Sequence, residues 1–309
     1  MEGFSIRTAP KSQKRSGSGT QIILGLAFLT SISRPARSST RSTGVLIPLY
    51  THPTDGSWSE VVRVHASHPL VPIIAVINPS NGPGGSQNPE YLTGVRNLQN
   101  AGVTTLGYVY TNYGERSKSS VESEVSAYKR WYSVNGIMID EMSNTQGFES
   151  YYSALNGHVK SLGMTHTVGN PGTVVPASFK GTLDCLVIYE NSGLPPISEL
   201  QRYRGHAAPN SAYISYGVPT LDTAFERASA AYVRWLYITD ASLPNPYDTL
   251  TSYFSAEVAT LDNGTSTTAS REPRNPDRTL KHHGRNQRLA ELEPRASRRR
   301  RFVSTGLTT

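Results

Sequence analysis

From residue 44 to residue 261 the chain alternates two hydrophobic rhythms. Short, nearly unbroken apolar runs rich in β-branched and aromatic residues predict strands at GVLIPLY (44–50), VPIIAVINP (71–79), TTLGYVYT (104–111) and GIMIDE (136–141). The series continues with THTVGNP (165–171), CLVIYE (185–190), SAYISYGV (211–218) and VRWLYITD (233–240). Runs this continuous belong to parallel strands covered on both faces. Between them apolar residues return every three or four positions, as Val121, Val125, Tyr128 and Tyr132 do within 119–133. That period predicts a helix there, and others at 88–102, 148–163, 220–233 and 247–261. Asn88-Pro89 and Gly102 supply the start and stop chemistry of the helix over 88–102. The slot at 174–183, between the fifth and sixth strands, is short for a helix.

Eight strand-helix units in about 220 residues predict an α/β fold, a (β/α)8 TIM-type barrel forming a single catalytic domain over 44–264. An open doubly wound sheet is the structural rival. It fits less well, because LYTHPTDG after the first strand carries neither a Gly-rich dinucleotide turn nor a P-loop.

The formal net charge of +7 changes meaning once it is divided along the chain. Residues 1–43 hold seven Lys/Arg and one acid, residues 265–309 eleven Lys/Arg and four acids, and the body twelve bases against eighteen acids. A nucleic-acid-binding domain would carry its positive charge on the folded surface, so nucleic acid is not an expected partner. The tail 265–309, with its run Arg298–Arg301, has too little apolar content to fold and reads as a basic, disordered extension. The N-terminal segment pairs Arg7, Lys11, Lys14 and Arg15 with the apolar run IILGLAFLTSI at 22–32. Eleven apolar residues fall short of the roughly 17–25 of a membrane span and suit a secretory signal; an uncleaved membrane anchor is the alternative. The expected location is secreted or wall-associated, or membrane-anchored with the barrel outside. Asn263-Gly264-Thr265 is a compatible glycosylation sequon, and the single cysteine, Cys185, lies in an apolar run and reads as a buried, inert thiol. A monomer is expected.

Barrel active sites lie at the carboxyl ends of the strands. There the chain places Asp140 and Glu141 after the fourth run, Glu190 after the sixth and Asp240 after the eighth. Acids after strands also serve as helix N-caps, a reading with weight for Asp240. It is weaker for Glu141 and Glu190, since Glu caps poorly and Asn191 and Ser192 stand ready beside Glu190. No predicted strand ends on Lys, no His cluster follows the strands, and no nucleophile elbow occurs, so neither a Schiff base, a metal nor a cofactor is expected. Paired carboxylates fit glycoside hydrolysis, where one protonates the leaving oxygen and the other acts as nucleophile or activates water. Tyr50, Tyr108, Tyr110 and Tyr113 near the strand mouths are candidates to stack on sugar rings, and Asn78 and Asn170, with Asp240, to bond their polar groups. Seventeen tyrosines must include many that only pack the core.

The ordered motifs GVLIPLYTHP, VINPSNGPG, LGYVYTNYGER, GIMIDEMSN, GNPGT and LVIYENS resemble the spherulin-4-like family, which includes the fungal glycoside hydrolases of family 135. The resemblance spans about residues 44–261 and implies a (β/α)8 barrel and an endo-acting hydrolase. It implies a polysaccharide substrate containing N-acetylgalactosamine and galactosamine, with α-1,4-linked N-acetylgalactosamine in galactosaminogalactan as the cleaved unit. The family's functional carboxylates fall on Asp140, Glu141 and Glu190. Met138 stands where the family usually has an aromatic residue, and the basic tail is outside the pattern. The alternative is a non-catalytic polysaccharide-binding or spore-coat protein on the same barrel.

Overall fold

The computed structural model describes residues 42–203 and 210–262. The expected signal segment and the basic tail lie outside the described residues. Eight parallel strands form a closed ring in chain order: β1 (Gly44–Leu49), β2 (Ile73–Ile77), β3 (Thr104–Tyr110), β4 (Gly136–Asp140), β5 (His166–Gly169), β6 (Cys185–Ser192), β7 (Ser211–Tyr216) and β8 (Trp235–Ile238). Pairing of Gly44 with Trp235 joins the first strand to the last. That closure decides for the barrel and against the open sheet. Each predicted apolar run contributes a strand because its side chains are buried both toward the axis and toward the helices.

The outer layer consists of α1 (Gly56–Ser67), α2 (Pro89–Asn100), α3 (Lys118–Tyr132), α4 (Glu149–Ser161), α5 (Ile197–Tyr203), α6 (Thr223–Ser229) and α7 (Phe254–Leu261). Side chains end these helices as capping chemistry requires: Asn88 accepts from the N–H groups of Glu90 and Tyr91 with Pro89 in the first turn, and Asp222 does the same for Ala224 and Phe225. The short fifth slot holds only a 3₁₀ turn, Ala177–Phe179. Helices α1 and α5 were not singled out by the apolar period.

Several predicted boundaries move, among them the helix expected over 220–233, which spans Thr223–Ser229. The last helix begins at Phe254 rather than 247, because backbone N–H groups before it bond side chains: Tyr247 N–H to Asn245 Oδ1 and Ser252 N–H to Asp240 Oδ1. The eighth strand ends at Ile238, which leaves Asp240 in the loop beyond it.

Between strands and helices the packing is heavily aromatic, with Tyr128, Tyr132, Tyr152, Tyr213 and Tyr237 fully buried. Much of the tyrosine content is therefore core. Helix α3 sits so close to β3 that a Cβ on Gly107 would lie 2.5 Å from the Tyr128 ring, and only glycine fits there. Among the described residues no helix is long and apolar enough to cross a membrane.

Candidate active site

Because all eight strands run the same way, their carboxyl ends share one face of the barrel, and β4, β5 and β6 are neighbours on it. Asp140 is the last residue of β4. Glu190 lies near the end of β6, just past a bulge between Val187 and Tyr189. Bulges re-aim the residues that follow them, and this one precedes a carboxylate by a few residues.

Asn170, one residue past β5, joins the two acids. Its Nδ2 donates to Asp140 Oδ1 at 2.8 Å and also to Glu190 Oε2. Its own orientation is set by Gly172, whose N–H donates to Asn170 Oδ1 at 2.9 Å, so the NH₂ end must face the carboxylates. The carbonyl of the same glycine accepts from the Glu190 N–H at 3.0 Å. Gly172 has φ +65°, a backbone setting in which a side chain is strained, and from it one peptide turn holds both Asn170 and Glu190. Since a single nitrogen bonds both acids, their nearest oxygens lie within the sum of two hydrogen bonds, about 6 Å.

Further donors converge on each acid. The Tyr108 hydroxyl and the Glu141 N–H lie near the Asp140 carboxylate and favour its charged form. Tyr247 donates its hydroxyl to Glu190 Oε1. Burial still prevails: Asp140 is raised above the usual carboxylate range by burial, against these donors. Glu190 is raised by burial and by the negative charge of Asp140, against the bonds from Tyr247 and Asn170. Tyr50 packs edge-on against both Tyr108 and Tyr247, at centroid distances of 5.6 and 5.7 Å. Burial, together with the charge of nearby acids, holds the hydroxyls of Tyr50, Tyr108 and Tyr247 protonated well above the ordinary tyrosine range.

Glu141 adopts a left-handed backbone, φ +47°, directly after the strand. Its carbonyl accepts from Tyr113 N–H at 2.7 Å and from Thr111 Oγ1 at 2.8 Å. Its carboxylate is near enough to help raise the Tyr108 hydroxyl.

Of the residues expected at the site, Asp140, Glu190, Asn170, Tyr108 and Tyr50 come together, with Glu141 beside them. Asn170 has both ends of its amide engaged by the protein, so it holds the acids. Tyr113 is 60% exposed on the rim and anchored through its backbone to Glu141. Tyr110 is covered by the Arg116 guanidinium, 4.1 Å from the ring centroid, and Arg116 in turn pairs with Glu124. Asn78 Oδ1 accepts the Gly82 N–H at 2.9 Å and shapes the loop after β2. Asp240 bonds Thr251 and Ser252 within its own loop. Tyr247 was missed because 247–261 read as one helix. The Pro244-Asn245-Pro246 turn signal just before it could have separated it from the helix.

Among the described residues no group of three His, Cys, Asp or Glu side chains is arranged to hold a metal ion. His52 faces Glu90 at 3.2 Å.

Comparison with known proteins agrees with this architecture. Residues 44–261 match the model of spherulation-specific family 4. Spherulin-4 of Physarum polycephalum is 31% identical over 261 residues, which cover 78% of this chain and 76% of the relative. Among solved structures, Aspergillus clavatus Sph3 in complex with GalNAc aligns with a TM-score of 0.63 at 23% identity, covering 72% of this chain and 98% of Sph3.

Proposed function

We propose, from the premise that the chain belongs to spherulation-specific family 4, that it is an endo-acting glycoside hydrolase. Its substrate is a polysaccharide with α-1,4-linked N-acetylgalactosamine, of the galactosaminogalactan type. The observation that carries this reading is the Asn170-bridged pair of buried carboxylates, Asp140 and Glu190, at the catalytic face of the barrel. The GalNAc bound to Sph3, a protein of the same fold, supports the choice of sugar.

The two acids differ in a way that divides the work. The Asp140 anion is favoured by the Asn170 bond and by the nearby Tyr108 hydroxyl and Glu141 N–H. Glu190 is raised by burial and by the charge of Asp140, which favours its protonated form. In the proposed reaction Glu190 gives that proton to the glycosidic oxygen while Asp140 attacks the anomeric carbon and the glycosidic bond breaks. A water molecule then gives a proton back to Glu190 and displaces Asp140 from the ester. The donor shared through Asn170 keeps the nearest oxygens of the two acids within about 6 Å, which supports the closer-set arrangement of retaining enzymes, with carboxyl groups roughly 5–5.5 Å apart. The apolar segment 22–32 supports a secreted or wall-associated location, or attachment to the outer face of a membrane.

Incubating the purified protein with galactosaminogalactan, beside Glu190→Gln, tests the reading. Release of oligosaccharides by the native protein alone is expected. Binding of the polymer without release would replace it with the non-catalytic, coat-protein reading.

A further inference from the structure

Tyr247 and Asp240 lie on the loop between β8 and α7, and their bonds link that loop to the acid pair. Asp240 sits two residues beyond the strand. Its Oδ1 accepts from Thr251 Oγ1 at 3.0 Å and Ser252 N–H at 3.2 Å, and its Oδ2 from Ser252 Oγ. These bonds staple together two points of the chain that are eleven residues apart. Tyr247 is carried between them. Its carbonyl accepts from Tyr50 N–H at 3.3 Å, its ring packs edge-on against Tyr50, and its hydroxyl reaches Glu190 Oε1.

Resting on the hydrolase reading above, we propose that Tyr247 is the positioning residue of the acid Glu190, and that Asp240 acts through it by clasping the loop that delivers it. Glu190 has two oxygens. Asn170 takes one and divides its NH₂ between both acids, whereas the Tyr247 hydroxyl serves Glu190 alone. Without Tyr247, burial and the Asp140 charge face one donor fewer. Glu190 then holds its proton more tightly and its carboxyl is free to turn. Loss of one hydrogen bond to a charged acceptor corresponds to a shift of about one to two pH units.

The variants are Tyr247→Phe, Asp240→Asn and the two combined, made in the full chain. Titration of Glu190 by carbon NMR of glutamate-labelled protein, assigned with Glu190→Gln, reads the shift directly. The alkaline limb of the kcat/KM profile on galactosaminogalactan reads it in the reaction. Tyr247→Phe is expected to raise both by about one to two pH units, so that activity extends to higher pH while kcat falls. Asp240→Asn is expected to move them the same way by no more than that, and the double variant to match Tyr247→Phe alone. If Asp240→Asn does not fold, Ser252→Ala loosens the same clasp from its other side. An unmoved Glu190 titration in Tyr247→Phe, or in Asp240→Asn, would overturn the proposal, as would additive shifts in the double variant. If the native protein cleaves nothing, the hydrolase reading fails, and the NMR titration still decides this one.

Discussion

Glu226 on α6 and Glu257 on α7 face one another in the layer between helices and barrel, both with no solvent exposure. Neither oxygen of Glu226 has a hydrogen-bond partner; of Glu257, Oε1 accepts the Ile238 N–H at 2.8 Å and Oε2 has none. Tyr213 and Tyr237 face them from the barrel, Tyr253 from the preceding loop, and Thr260 and Arg227 from the helices. Burial pushes Glu226 up to about 8 from an ordinary 4.5, against the opposing pull of Thr260 and Arg227. Burial, and then the neighbouring Glu226 charge, raises Glu257 as well. An unfolded chain ionises these acids first, so it binds fewer protons than the folded one and stability falls as pH rises. The contribution is intact below 4.5 and fully lost once pH has passed through the folded value near 8. Each proton that the fold keeps and the unfolded chain releases costs about 1.4 kcal/mol of stability per pH unit, a steep gradient beside the 5–15 kcal/mol typical of a domain. Glu226→Gln cannot ionise, so its stability should fall with pH by about one proton less than the native slope. Burying an amide costs about 1–3 kcal/mol at every pH, which is why the slope and not the absolute stability is diagnostic. Urea unfolding of both proteins at half-unit steps from pH 5 to 7.5 measures it. Parallel curves would refute the assignment of a proton to Glu226 in the fold.

Three further outcomes are expected of the acid pair and its surroundings. Fresh reaction product observed by proton NMR should carry the α configuration before it mutarotates, because attack by Asp140 and then by water amounts to retention; initial β product would contradict the division of work between Asp140 and Glu190. Asn170→Ala removes the donor shared by both acids, and with it about 1.5–3 kcal/mol for each bond. kcat should fall by about a hundredfold or more with a smaller change in KM, and an effect confined to KM would return Asn170 to the role of a sugar ligand. The acidic body attracts cationic polymer, so added salt should raise KM on deacetylated galactosaminogalactan more than on the fully acetylated form. Equal effects would remove electrostatic attraction as a reason for the charge division.

How much of this was legible in the sequence depends on whether a residue's partners lie in its own segment. Each strand of the barrel is apolar because neighbours bury it on both faces, so eight runs are visible without knowing which pairs with which. Asp140 and Glu190 were visible because charge at the end of such a run breaks its pattern. Asn170 was chosen for a different task, since nothing in GNPGT tells that Gly172 will turn its amide toward two acids on other strands. Asp240 ended an apparent strand, but its partners Thr251 and Ser252 lie eleven and twelve residues on. Glu226 and Glu257 are the plainest failure of local reading, because a glutamate within a helical period looks like a solvated face. Only the packing of α6 against α7 encloses both.

The adjacent acids Asp140 and Glu141 pose the sharpest conflict between local rules and the site. Consecutive strand residues point to opposite faces, so two neighbouring acids cannot both serve one side while the strand continues. The chain resolves this by ending β4 at Asp140 and placing Glu141 in the left-handed region. For a residue other than glycine that conformation costs on the order of 1–3 kcal/mol. Two bonds to the Glu141 carbonyl, from Tyr113 N–H and the Thr111 hydroxyl, offset part of the cost. The same turn brings the Glu141 N–H near the Asp140 carboxylate, where with Tyr108 and Asn170 it works against burial to favour the anion. A glycine at position 141 would relax the backbone and retain that N–H but lose the carboxylate near Tyr108. The glutamate in a strained position therefore points to a use for its side chain beyond the turn, beside the acid pair rather than within it.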